Sequence, residues 1–358
     1  MPKKAPIFAS KMESSIVIVV LVAVIFTSLV LDLGLFTKGS QSHLSLRQSA
    51  FRSLLWFLLG LVSVASMYEL IAHLHEIHTF EQLKEYHATY GKPFKLTADF
   101  DSSMHAFKTT SMWLYFSGYL LEYALSIDNL FVMLLVFKSF KISEHNERKI
   151  LVWGVLGAMV LRFIFIFLGS AAIQQFEWVL YIFGALLVFS GLKLAFEKEK
   201  EEQDPANHFV MRMVKKVFPV SEVSNDRGHF FVRENGILHV TVLFVVLLII
   251  EFTDVVFAID SVPAVFGITR DPYLVFFSNI FAILGLRSLY FLIGHGIDKF
   301  WALKYGLSII LIFIGTKMLL EHQFHAIGFN HIHNLLVIIG VLSLSMIYSI
   351  LKPLSSEL

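Results

Sequence analysis

Glu122-Tyr-Ala-Leu-Ser126-Ile-Asp128-Asn129 and, further on, Asp254-Val-Val-Phe-Ala258-Ile-Asp260-Ser261 are one phrase written twice inside apolar runs. In each copy a carboxylate precedes an Asp, and the Asp is followed by a small amide or hydroxyl. Glu251 adds a fifth acid just ahead of the second copy. A charge at mid-membrane costs about 3 kcal/mol or more, so such residues face a bundle interior and mark ion or substrate paths.

The echo continues beyond the acids. Arg162 in Ala158-Met-Val-Leu-Arg matches Arg287 in Ala282-Ile-Leu-Gly-Leu-Arg, and Gly191-Leu-Lys193 matches Gly315-Thr-Lys317. Three helices over 111–197 are thus expected to recur over 238–321. An odd number of spans per copy turns the second upside down, giving an inverted repeat, a common build for secondary transporters with a substrate site at the midplane.

The bulk numbers agree with a membrane setting. The chain has 358 residues, 56% of them hydrophobic and 36 of them Phe, with a mean hydropathy of +0.70. This composition predicts a polytopic, all-α membrane protein in contact with the lipid bilayer. A net charge of +1 provides no basic patch for nucleic acid. With no cysteine, disulfides, thiolate metal sites and cysteine nucleophiles are excluded, and any metal falls to oxygen or imidazole ligands.

A span needs about 20 apolar residues, and nine windows qualify: 14–34, 52–73, 111–137, 150–171, 175–196, 238–265, 273–296, 301–320 and 333–352. The first follows Lys3, Lys4 and Lys11 but lacks a small-residue cleavage site, so it reads as a retained anchor. The expected organisation is 1–110, two N-terminal spans and a long outer loop; 111–197, the first repeat; 198–237, a cytoplasmic loop; 238–321, the inverted second repeat; and 322–358, a C-terminal helix and tail. Lys138, Lys141, Arg148 and Lys149, with Lys198, Lys200, Arg212, Lys215, Lys216, Arg227 and Arg233, put loops 138–149 and 197–237 in the cytoplasm. The C-terminus then lies inside and the N-terminus outside; the three N-terminal lysines and Lys84, Lys92, Lys95 and Lys108 run against that assignment.

On a regular helix Glu122, Ser126 and Asn129 share one face while Asp128 lies about 120° away, and Asp260 is roughly 180° from Glu251. Local unwinding at Pro263, which cannot donate to the carbonyl of Ile259, would bring the acids together. The candidate ligand set is Glu122, Asp128, Asn129, Glu251, Asp254, Asp260 and Ser261: hard oxygen donors suited to Mn²⁺, Mg²⁺ or Ca²⁺ and repellent to anions. The plainer reading is that Arg162, Arg287, Lys193 and Lys317 act as structural counter-charges, with the two lysines snorkelling. Asn279 suits a helix–helix hydrogen bond as well as a ligand role. His73, His75, His78, His322 and His325 are candidates for outer metal capture or pH sensing, against solvated interfacial histidines as the plain alternative.

These residues carry a family resemblance. Glu122–Val132, Gly154–Arg162, Trp178–Gly184, Phe230–Gly236, Asp254–Ala264, Ser278–Ser288 and Lys304-Tyr-Gly306 resemble the TerC family of integral membrane proteins, and within it the bacterial Alx branch, which has two extra N-terminal spans. The resemblance implies a multi-pass bacterial inner-membrane protein of manganese homeostasis, related to LysE-type exporters and exporting Mn²⁺ through Glu122, Asp128, Glu251, Asp254 and Asp260. No tightly bound cofactor and no enzymatic activity are expected of this chain. The family name derives from tellurite resistance, yet an oxyanion has no electrostatic reason to enter a carboxylate-lined site.

The leading expectation is therefore a metal exporter, with acids that alternate between Mn²⁺ and protons. A Ca²⁺/cation antiporter uses similar acidic repeats, and a membrane scaffold linked to metal or tellurite resistance needs no transport at all. An intramembrane aspartyl protease is disfavoured because neither phrase contains Gly-x-Gly-Asp.

Overall fold

The structure is a computed structural model describing residues 7–33, 46–91, 93–196, 212–213, 216, 218–221, 228–234, 236–294 and 301–352, with backbone only at 7–15, 32–33 and 325. Lys3, Lys4, Lys92, Lys198, Lys200, Lys215 and Arg227, used above for orientation, lie outside the described residues, as do the side chains of Lys11 and His325.

Helices dominate. They are α1 (Ile7–Leu33), α2 (Leu46–Leu74), α3 (Phe80–Thr89), α4 (Phe100–Ser139), α5 (Glu144–Gln175), α6 (Trp178–Phe196), α7 (Val242–Phe266), α8 (Pro272–Ile283), α9 (Leu286–Gly294), α10 (Leu303–Leu319), α11 (Glu321–Ala326) and α12 (His331–Leu351). Among the described residues six helices are long and apolar enough to cross a membrane, or seven when the bent pair α8–α9 is counted as one. Of the nine expected windows, the first and eighth fall short: the apolar stretch described in α1 is Ile16–Leu31, and α10 has 17 residues.

The expected loop 74–110 is partly helical. Thr79 and Gln82 form a reciprocal capping box that starts α3, and Asp99 caps α4 through the Ser102 N–H at 2.8 Å, so α4 begins well before residue 111. The 197–237 loop ends in an antiparallel hairpin, β1 (Phe231–Glu234) with β2 (Ile237–Val240), in which Arg233 faces Leu238. Gly236 takes the left-handed conformation at its turn, φ 82°.

The expected unwinding at Pro263 does not occur. α7 is continuous from Val242 to Phe266 with Pro263 inside it, four residues before its C-cap, Gly267. The break falls instead between α8 and α9, which meet at 46°. Gly285 there has φ 84°, and the side chain of Trp56 occupies the space a Cβ would need.

Packing crosses between the two echoed segments. α4 lies against α8 and α5 against α7, while α6 runs along α10 in the most extensive helix pairing among the described residues. α2 lies against α4 and the α8–α9 break. The main core joins residues of α2, α4, α5, α6, α7, α8 and α10, from Met67 and Tyr115 to Phe277 and Ile314, while α9 packs into a second cluster through Leu289 and Tyr290.

A candidate cation site at the helix junction

Because α4 and α7 stay regular, each presents one polar face inward. Glu122, Ser126 and Asn129 are buried on α4, and Asp254 and Ser261 flank Ala258 on the buried face of α7. The crossing of α4, α5, α7 and α8 brings these faces together. α5 inserts Arg162, 1% exposed, and α8 adds Asn279, fully buried.

Arg162 organises the junction. Its Nη1 donates to Glu122 Oε1 and, at 2.6 Å, to Asn279 Oδ1, while its Nη2 stands 4.0 Å from Asp254 Oδ1. Asn279 is fixed in turn by donating to the Val275 carbonyl at 3.0 Å. Ser261 faces Glu122. Five buried atoms here have no hydrogen-bond partner: Glu122 Oε2, Ser126 Oγ, Asp254 Oδ2, Ser261 Oγ and Arg162 Nε. Leaving such a group unmet costs about 1–3 kcal/mol, so this concentration of open valences is a place for water or a cation.

The remaining acids stand apart. Asp128 is half-buried on a different face of α4. Asp260 accepts from Ser190 Oγ at 2.6 Å and interacts with Lys193 on the α6 side. Glu251 turns its carboxylate onto Gly157, where any Cβ would collide with it. It lies in the wall of a groove of about 740 Å³ lined by Trp153, Leu156, Val160 and Phe252, one turn of α7 before Asp254. Among the described residues no three of His, Asp and Glu converge as metal ligands. The seven predicted ligands therefore separate: Glu122, Asp254 and Ser261 meet at the junction, Asn129 lies buried about two turns further along α4, and Asp128, Asp260 and Glu251 stand apart.

The basic residues also divide. Arg287 is half-buried on α9, and Lys193 is exposed in the last turn of α6. Lys317 turns inward, donating at 3.2 Å to the carbonyl of Gly267 at the end of α7, a favourable place for a cation beside a helix C-terminus. His73, His78 and His322 are exposed. His75 alone of these is engaged by a carboxylate: its Nε2 lies 2.8 Å from Asp271 Oδ2, within a ring of Tyr86, Tyr90 and Tyr273.

Sequence reasoning missed that last cluster. Asp271 is fully buried, caps α8 through the Tyr273 N–H at 2.9 Å, and accepts from the Tyr86 hydroxyl at 2.8 Å. The available signal was Asp271-Pro272, an N-cap residue followed by proline at the first helical position. Burial, and then Asp271, push the Tyr86 hydroxyl well above the ordinary tyrosine value.

The helices and the buried ionic junction define a class: an all-α, multi-pass integral membrane protein with paired carboxylates inside its helix bundle. Residues 107–355 match the family described as Integral membrane protein TerC family, and the chain belongs to it. A Salmonella typhi protein named as a candidate membrane-bound redox modulator, Alx, is 39% identical over 327 residues, covering 90% of each chain. The Escherichia coli K12 protein of the same name is 47% identical over 211 residues, 59% of this chain and 65% of its own. The thylakoid membrane protein TERC of Arabidopsis thaliana chloroplasts is 43% identical over 243 residues, 68% of this chain and 61% of its own. No solved structure matches the chain.

Proposed function

We propose that this chain is a secondary transporter that exports a divalent cation, Mn²⁺ foremost, through the junction of Glu122 and Asp254. The observation that carries the reading is the group of five unmatched polar atoms in one buried cluster with two carboxylates. Four of these atoms are oxygens, the donor set that hard divalent ions take. The cross-packing of α4 with α8 and α5 with α7 supports a core of two inverted repeats, 111–197 and 238–321. Asp128, Asp260 and Glu251 are the approach to the junction, and protons returning through the same acids drive export. The protein sits in the inner membrane with its C-terminus in the cytoplasm.

The chain has no cysteine, so a redox role like that in the name of its Alx relatives would have no thiol of its own to use. A second reading is a membrane scaffold, favoured by Arg162, which already answers Glu122. Intracellular manganese, measured by elemental analysis in manganese-stressed cells lacking exporters of their own, separates the two. The transporter lowers manganese, and Glu122→Gln with Asp254→Asn, expressed to equal level, abolishes the effect. Unchanged manganese with the unaltered protein removes the exporter reading and leaves calcium or a scaffold role ahead.

A further inference from the structure

The groove beside Glu251 belongs to the outside of the bundle. Its wall residues Trp153 and Val160 of α5 and Phe252 of α7 are exposed, and none of Glu122, Arg162, Asp254 or Asn279 lines it. Glu251 stands nine positions after Val242, where α7 begins. That is about 14 Å along the helix axis, near the middle of a hydrocarbon layer about 30 Å thick. Among the described residues no group donates a hydrogen bond to this carboxylate and no cation pairs with it. The fold nevertheless makes room for it, because Gly157 of α5 leaves open the space that a Cβ would take from both carboxylate oxygens.

The chemistry of the groove narrows its occupant. A carboxylate facing hydrocarbon at this depth costs about 3 kcal/mol, and an acyl chain lying in the groove would leave that charge unanswered. The ammonium of a phospholipid stays at headgroup level, out of reach. A divalent metal ion requires about six oxygen ligands, whereas Glu251 is the one charged side chain lining the groove and the rest of the wall is apolar. A hydrophobic organic cation meets both demands. Its arms lie against Leu248 and Val160, its charge answers Glu251, and the rings of Trp153 and Phe252 attract a cation by their faces. A volume of about 740 Å³ is that of a small-molecule site, and so is an apolar wall with a single polar group.

We propose that this groove is a binding site for a lipophilic organic monocation, an amine or phosphonium with aromatic or branched alkyl arms, which enters from the bilayer and is held by Glu251. The site goes beyond the transport reading and does not depend on it.

Tetraphenylphosphonium is the probe. Its binding to the full chain in lipid nanodiscs is measured by equilibrium dialysis at about pH 8, above the ordinary carboxylate range, with empty nanodiscs giving the lipid background. Saturable binding, one probe per chain, is expected, and tetraphenylmethane, which has the same shape without the charge, should not displace it. Glu251→Gln should weaken binding about tenfold or more, the loss that follows when one partner of a desolvated charge pair is neutralised. Val160→Trp fills the groove from its exposed side and keeps the carboxylate. It should weaken binding about as much, and it keeps the test open if Glu251→Gln fails to fold. Absence of saturable binding overturns the proposal, and so does unchanged affinity in Val160→Trp. Binding that tetraphenylmethane displaces, or that Glu251→Gln leaves intact, also overturns it and marks the groove as a seat for an acyl chain. No arm of the experiment uses manganese, while the manganese assay above turns on Glu122 and Asp254, so either reading can fail without the other.

Discussion

Gly184 of α6 and Gly315 of α10 meet backbone to backbone: a Cβ on Gly315 would stand 2.6 Å from the carbonyl oxygen of Gly184, and one on Gly184 3.0 Å from that of Gly315. Further along, Ser308 Oγ donates to the Gly191 carbonyl at 2.7 Å. Ascending α6 from 184 to 191 descends α10 from 315 to 308, so the helices are antiparallel. The sequence echo that aligns Gly191 with Gly315 aligns Gly184 with Ser308, and it exchanges one contact for the other.

Gly315→Ala should therefore destabilise the protein by about 1–3 kcal/mol, because the new methyl meets a backbone carbonyl that no rotamer change can move. Ser308→Ala gives up one hydrogen bond and should lose about 1 kcal/mol. Denaturant or thermal unfolding of the purified protein in detergent measures both, and a Gly315→Ala protein as stable as its parent would show that α6 and α10 separate freely.

Removing Arg162 leaves buried carboxylates without their cation. Arg162→Met should cost about 3–5 kcal/mol, and adding Glu122→Gln should restore part of that loss, since the unpaired charge goes with it. The coupling in this double-mutant cycle should exceed about 1 kcal/mol. Additive losses would mean that Arg162 and Glu122 do not interact in the folded protein.

Gly285→Ala combines a left-handed backbone with a collision against Trp56. The conformational part alone is about 1–2 kcal/mol. Trp56→Ala in the same chain should relieve the collision and leave the backbone part, so the double variant should be more stable than Gly285→Ala alone.

Alkaline pH should unfold the protein through the α3 tyrosines. Burial and Asp271 hold the Tyr86 hydroxyl above its ordinary value, and burial does the same for Tyr90. A raised folded value means the stabilisation is complete below the unfolded tyrosine pKa of about 10 and is lost as pH rises beyond it. Unfolding followed from about pH 8 to 11.5 should steepen above 10, and Tyr86→Phe should flatten that slope.

Much of this was legible in the chain because hydropathy and helical phase are local properties. The windows found the long helices, and the rule of about 100° per residue correctly separated Asp128 from Glu122 on a helix that stays regular. The remedy proposed for that separation was mistaken. Pro263 lies near the C-terminal end of α7, where the helix is already finishing, and the helix accommodates it. The bend belongs to Gly285, whose φ of 84° few other residues adopt. Three further signals were present: the capping pair Thr79 and Gln82 for α3, Gly236 for the hairpin turn, and Asp271-Pro272 for the start of α8. The partners of Asp271 were not legible, because His75 and Tyr86 reach it across about half the chain and a contact of that range has no local pattern.

A guanidinium that belongs to the chain cannot diffuse away. Held by Glu122 and Asn279, Arg162 stands at the junction like an ion dissolved at millimolar concentration or more, on the order expected for tethered groups. On the transport reading, the seat is filled between passages of cargo, and a small cation arriving there meets a positive charge that belongs to the chain. The residue that fastens α4 to α5 would then also keep the junction from leaking.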